Sequence, residues 1–332
     1  MARLTASSGR ARGPYDPPPA ARESTVTSAD GARLHVEVHG REEDPAVVLV
    51  HGWTCKTAFW APVIRELTAT GHRVVVYDQR GHGRSPAADT RAYSPEVLAD
   101  DLCAVLDAAL APGERAVLGG HSMGAMTLVA AAGRPQLEQR AAALVLCSTG
   151  AHRLLSGARV LSFRSEKARV RAHRLLVLSK LPLGPVTPVS RKVLKYGTLG
   201  PDATADQVSV VARIVHDCPP RVRGAWGSVL ARLDIQGQVS RLRFPTAVIV
   251  GTHDRLTPPP LAHDIVEALP HCTGLHELPR LGHMTPVESP GEVSRVLRES
   301  VREHLAGEAG KIPGARSGGT EPVAAKKKEE AP

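Results

Sequence analysis

Three residues far apart in the chain carry side chains that could act together on a carbonyl carbon: Ser122, Asp254 and His283. Ser122 sits in Gly120-His121-Ser122-Met123-Gly124, between the apolar run Ala116-Val117-Leu118 and the helix-like run from Ala125 to Ala132. A strand, a G-x-S-x-G turn and a helix lift a serine hydroxyl clear of a sheet edge on a sharp bend. Such a bend crowds the strand against the helix, so side chains at Gly120 and Gly124 would collide with it. A serine hydroxyl is a weak nucleophile until a base takes its proton, and the base needs an acid to orient it. Both follow in the order acid then histidine: Asp254 in Gly251-Thr252-His253-Asp254-Arg255, and His283 in Gly282-His283-Met284.

Elements able to position these residues precede each of them. Thr246-Ala247-Val248-Ile249-Val250 is a buried-strand candidate leading to Asp254, and Gly274-Leu275-His276-Glu277-Leu278 leads to His283. Upstream, Ala46-Val47-Val48-Leu49-Val50 ends in His51-Gly52-Trp53, and Arg73-Val74-Val75-Val76-Tyr77 ends in Asp78-Gln79-Arg80-Gly81-His82-Gly83-Arg84-Ser85. Loops after the carboxyl ends of parallel strands are where an open α/β sheet builds its site.

With these motifs, spanning roughly residues 24 to 306, the chain resembles the α/β-hydrolase superfamily, in its serine esterase and lipase-like branch with a helical cap. The order Ser122, Asp254, His283 is the one that resemblance implies. It also implies a mostly parallel eight-stranded sheet flanked by helices, with the cap inserted after the sixth strand. The oxyanion hole would come from two backbone amides, carried over to Trp53 and Met123. The expected division is a flexible leader 1–23, a first core part 24–150, a cap 151–235, a second core part 236–306 and a disordered tail 307–332.

Composition is ordinary for a globular chain of 332 residues, with 42% hydrophobic and 23% charged residues. Aromatics are scarce at 3%, so Val, Leu and Ala must fill the core. No apolar run is long enough to span a bilayer, and the N-terminus lacks the apolar stretch of a secretory signal. Five scattered cysteines without a C-x-x-C pair argue against a disulfide framework or zinc site and fit reduced thiols in a cytoplasm. There is no H-E-x-x-H and no cysteine-histidine cluster, so metal-dependent hydrolysis is not expected, and no cofactor is expected either. The lysine triplet Lys326-Lys327-Lys328 reads as part of a solubilising tail.

The net charge of +9 is unevenly spread. Residues 151–235 hold fifteen Lys and Arg against five Asp and Glu, whereas 24–150 carry −3 and 236–306 carry −1. From His152 to Leu181, basic residues such as Arg169, Arg171 and Arg174 alternate with Leu and Val in a basic amphipathic pattern, broken near Pro182 and Pro185. Two readings follow. The apolar stripe packs on the core with the arginines solvated, or the surface attracts an anionic substrate or membrane. Nucleic acid is not expected, because no binding motif with interleaved aromatics accompanies the charge.

Other residues near the site read as structural. His51 and His121 belong to turn motifs. His253 should face away from Asp254. Asp78 is the alternative acid, on a neighbouring strand, in what resembles a structural family position. Gly81-His82-Gly83-Arg84-Ser85-Pro86 imitates a dinucleotide fingerprint but has Pro86 where the third glycine belongs. Glu288 resembles a helix-start residue.

The expected activity is hydrolysis of a carboxylic ester of a small or medium lipophilic substrate through an acyl-enzyme. A cofactor-free perhydrolase or haloperoxidase-like activity and carbon–carbon bond hydrolysis use the same triad. Iminopeptidase activity fits less well, because His51-Gly52-Trp53-Thr54-Cys55 replaces the H-G-G-P-G turn of that branch. Ser122 argues against the alkyl-enzyme chemistry of relatives that carry aspartate at the elbow. A non-catalytic binding protein is disfavoured by the complete triad. Oligomeric state and substrate identity are not written in the sequence.

Overall fold

Strands β3 (Ala46–Val50) and β4 (Arg73–Tyr77) are buried at every residue, as expected for strands covered by helices on both faces. They belong, with β1 (Arg22–Thr27), β2 (Arg33–His39), β5 (Ala116–His121), β6 (Ala141–Cys147), β7 (Thr246–Gly251) and β8 (Cys272–Leu278), to one eight-stranded sheet. Its spatial order is β1-β2-β4-β3-β5-β6-β7-β8. β1 and β2 pair antiparallel, as do β2 and β4, and all other pairs are parallel. This computed structural model describes residues 13–88, 93–161 and 163–305.

The helices are α1 (Ala61–Ala69), α2 (Pro95–Ala109), α3 (Met123–Ala130), α4 (Pro135–Arg140), α5 (Leu154–Gly157), α6 (Glu166–Leu178), α7 (Pro188–Thr198), α8 (Ala205–Asp217), α9 (Pro220–Leu230), α10 (Gln236–Val239), α11 (Pro259–Ala268), α12 (Thr285–Glu288) and α13 (Pro290–His304). The strand period of two splits the core. Val48 and Val50 join the cluster containing α2, α3 and α11, while Val47 and Leu49 join that of α1, α12 and α13. Helices α5 to α10 all fall between β6 and β7, where a cap after the sixth strand was expected.

Two expectations need correction. β1 opens at Arg22, inside the stretch expected to be a flexible leader. The residues before it are held down: the Arg65 guanidinium donates to the Asp16 carbonyl at 2.7 Å, and His39 Nδ1 donates to the Pro19 carbonyl at 3.3 Å. Residues 1–12 and the expected tail 307–332 lie outside the described residues. Nor does the cap turn its apolar stripe inward throughout. Only His173 is fully buried on α6, and Leu175 and Leu176 are exposed.

The cap is nevertheless fastened to the core. Trp226 is fully buried, stands edge-on to Tyr93 at 4.8 Å and donates its indole N–H to the Arg80 carbonyl at 3.1 Å. Lys56 meets Asp217 at 2.7 Å, an exposed pair that contributes at most about 1 kcal/mol.

Candidate active site

The tight turn after β5 is the most constrained backbone in the site. Ser122 has φ 52° and ψ −118°, a region costly for any residue with a Cβ. The glycines around it are there for close approach. A Cβ on Gly124 would lie 2.1 Å from the Val50 carbonyl oxygen, and one on Gly120 would lie 2.5 Å from the Ala125 backbone. Ser122 N–H donates to the Cys147 carbonyl at 2.9 Å, which fixes the bend to the end of β6.

Asp254 follows β7 by three residues and His283 follows β8 by five. Both are buried, and His283 Nδ1 lies 2.8 Å from Asp254 Oδ2. Asp254 is itself oriented: Oδ1 accepts the Leu256 and Thr257 amides at 2.8 and 2.9 Å, and Oδ2 accepts the Thr257 hydroxyl at 2.9 Å. The elbow is tied to the histidine loop through His121, whose Nε2–H donates to the His283 carbonyl at 2.8 Å. Their rings lie 4.9 Å apart. Ser122 Oγ and His283 Nε2 are not yet joined by a hydrogen bond, a contact that often tightens only with substrate bound.

The third strand end lies against the elbow. A Cβ on Gly52 would be 3.1 Å from Ser122 Cβ, so His51-Gly52-Trp53 runs directly past Ser122. Among the described residues, neither the Trp53 nor the Met123 amide has an internal acceptor. Met123 opens α3, where first-turn N–H groups lack helical partners. The Trp53 indole N–H donates to the Arg223 carbonyl at the start of α9, so this segment also touches the cap. A cavity of about 340 Å³ opens behind it, among Thr54, Lys56, Asp78 and Cys218, and Ser122 does not line it.

His51 and His82 are buried beside the site and held by backbone hydrogen bonds. His51 Nδ1–H donates to the Gly52 carbonyl at 2.8 Å while Nε2 accepts the Gln79 amide at 3.0 Å, which fixes a neutral ring. Burial pushes His51 down to about 4, and burial together with neighbouring His51 pushes His82 down to about 3. His253 is exposed while Asp254 is buried. Asp78 accepts the Thr57 and Arg84 amides, each at 2.8 Å, and organises the loop after β4.

Two of the buried histidines, His51 and His82, give a pH dependence with a definite sign. In the unfolded chain both titrate near 6.5. Above that pH their contribution to stability is complete. As pH falls from 6.5 towards 4 and 3, the unfolded state takes up protons that the folded state refuses, and stability is lost, on the order of 3 kcal/mol per histidine. Thermal unfolding between pH 7.5 and 4 should show this fall, and His82→Gln should flatten part of it. A melting temperature that does not change over that range would contradict the buried neutral state.

Glu288 had only the look of a helix-start residue in the sequence, yet its carboxylate braces the histidine loop. It accepts the amides of Gly282 and Met284, on either side of His283, at 3.1 Å, and the Gly200 amide from the cap at 2.6 Å. Burial pushes its carboxyl up, and these three amides oppose that. Glu288→Gln must turn an NH₂ group towards amide donors. It is expected to cost about 1–3 kcal/mol of stability and to lower kcat about tenfold with little change in KM, since small misplacements of a base are costly. If the melting temperature drops while kcat is unchanged, the carboxylate serves the fold alone.

The site thus offers a strained serine, a histidine–carboxylate pair tied to it, and two free amides beside it. Comparison with known proteins agrees with this fold. The sequence profile of the family described as "Serine aminopeptidase, S33" matches residues 41–290. A protein of Variovorax paradoxus (strain S110) named "Putative carbamate hydrolase RutD" is 32% identical over 80% of this chain and 94% of its own. The non-heme chloroperoxidase of Streptomyces lividans is 26% identical over 70% of this chain and 83% of its own. Among solved structures, a thermophilic esterase from Thermogutta terrifontis superposes with a TM-score of 0.69 and 25% identity, covering 86% of this chain and all of the other. The chain is an α/β-hydrolase and belongs to the serine aminopeptidase S33 family of hydrolases.

Proposed function

We propose that this hydrolase cleaves a carboxylic ester of a small or medium lipophilic substrate through an acyl-enzyme on Ser122. The observation that carries the reading is the 2.8 Å contact between His283 Nδ1 and a fully braced Asp254, joined through His121 to a serine in a strained elbow. His283 Nε2 takes the Ser122 proton as Oγ attacks the carbonyl carbon, and Asp254 stabilises the imidazolium that forms. The Trp53 and Met123 amides donate to the oxygen as it gains charge. His283 then gives its proton to the leaving alcohol, and water repeats the sequence to free the acid. The partly buried Trp53 sits on the segment that passes Ser122, with its indole against Gly227 of α9, and an apolar side chain on that segment favours a lipophilic acyl or alcohol group.

The similarity to RutD supports carbamate hydrolysis as a second reading on the same machinery. In a carbamate, nitrogen donation makes the carbonyl carbon less electrophilic, so the two readings separate on substrates of equal size. The test is a panel of para-nitrophenyl esters of graded acyl length, matched carbamates, aminoacyl anilides, and acetate with hydrogen peroxide. Highest kcat/KM on a short or medium ester supports the first reading. Preference for the carbamates would replace it, and turnover of the anilides or of peroxide alone would overturn both.

A further inference from the structure

The outer surface of the cap differs from the rest of the protein. Among the described residues, the large apolar side chains left exposed all lie between Phe163 and Tyr196. Leu175 keeps 75% of its surface exposed, Leu181 74% and Val189 71%. On α7, Val189, Val193 and Tyr196 are spaced four and three apart, so they share one face, and all three are exposed. The loop between α6 and α7 carries Leu181 and Leu183 outward and is held from below by Arg223, which donates to the Leu181 carbonyl. Exposed apolar surface on this scale marks a contact site.

The charge beside it is equally one-sided. Between residues 153 and 201 there are eleven Lys and Arg and one acid, Glu166. Lys167, Arg171, Arg174, Lys180, Arg191 and Lys192 are exposed and form no ion pair among the described residues. Cations without partners, interleaved with exposed aliphatic side chains, are what an anionic lipid surface requires: phosphates for the first and the acyl boundary for the second.

We propose that α6, the 179–187 loop and α7 form a docking face for an anionic lipid bilayer, with Leu181, Leu183, Val189 and Val193 entering the headgroup boundary. A second copy of the chain fits poorly, because the same face would meet its own positive charge. The face also communicates with the site. α7 ends at Thr198, whose carbonyl accepts the His283 N–H at 2.9 Å. The Val177 carbonyl of α6 packs against Gly227 of α9, and α9 holds the Trp53 indole. Docking would therefore hold lipid against the layer that rests on the reaction centre.

The inference is tested without catalysis, so its failure would leave the ester reading untouched, and the reverse. The full chain is sedimented with sucrose-loaded vesicles of phosphatidylcholine, alone or with about one third phosphatidylglycerol. Partition onto the anionic vesicles should exceed that onto the neutral ones by at least about tenfold at low salt and should fall as salt rises. Arg171→Gln, Arg174→Gln and Lys192→Gln together should remove most of that advantage. Leu181→Ser with Val189→Ser should weaken the binding that survives at high salt. Turnover of a water-soluble short ester and the melting temperature should be unchanged in both variants. Equal partition onto both vesicle types, or none onto either, would overturn the proposal. So would a concentration-dependent dimer in sedimentation velocity that Leu181→Ser with Val189→Ser dissolves, because the face would then meet a second copy.

Discussion

Ser122→Ala is expected to lower kcat on a para-nitrophenyl ester by about 10³-fold or more while the protein still folds. The elbow already accommodates a Cβ at φ 52°, and alanine adds none that serine lacks, so the melting temperature should stay within about 2–4 °C of wild type. Fluorophosphonate should label the wild-type protein once and the variant not at all. Ser122→Gly separates catalysis from strain. It is equally inactive, yet glycine adopts the elbow conformation freely. Relief on the order of 1–3 kcal/mol, partly offset by the greater freedom of an unfolded glycine, should make it melt above Ser122→Ala. Near wild-type turnover in Ser122→Ala would remove the serine from the mechanism.

What the sequence revealed was whatever is encoded locally. The turn glycines at 120 and 124 and the apolar runs before each motif are contiguous patterns, and β3, β4 and β8 end where their runs stop. β1 and β2 carry the weaker signal of strands near a sheet edge, so neither stood out, and the held segment from residue 13 depends on Arg65 about fifty residues away. Glu288 was missed for the same reason. Its role rests on an amide from Gly200, 88 positions distant, and on two others that flank the histidine it supports. The cap was legible in its charge and not in its exposure. An amphipathic pattern states that one face is apolar, and only packing decides which way that face turns. Here α6 and α7 direct much of it outward.

The second large effect concerns the acid. Asp254→Asn is expected to leave the fold and KM close to wild type and to cut kcat by up to about 10⁴-fold. The reason lies in the hydrogen bonds. Oδ1 accepts two backbone amides, from Leu256 and Thr257, and backbone donors cannot reverse. Asparagine must therefore keep its carbonyl oxygen at that position and present its NH₂ where Oδ2 stood, facing His283 Nδ1. The Thr257 hydroxyl can rotate to accept from it, but His283 can accept only if Nδ1 is bare, which places the ring proton on Nε2. An imidazole protonated on Nε2 cannot receive the proton of Ser122. Asp78→Asn should behave differently. Its two oxygens each accept one backbone amide, from Thr57 and Arg84, so an asparagine satisfies one and opposes the other. The expected result is a loss of about 1–3 kcal/mol in stability, with kcat largely retained in the folded fraction. Kinetics and thermal melts on the two variants discriminate the roles. If Asp78→Asn silences a well-folded enzyme while Asp254→Asn remains active, the orienting acid is Asp78 and the contact to His283 Nδ1 has another purpose.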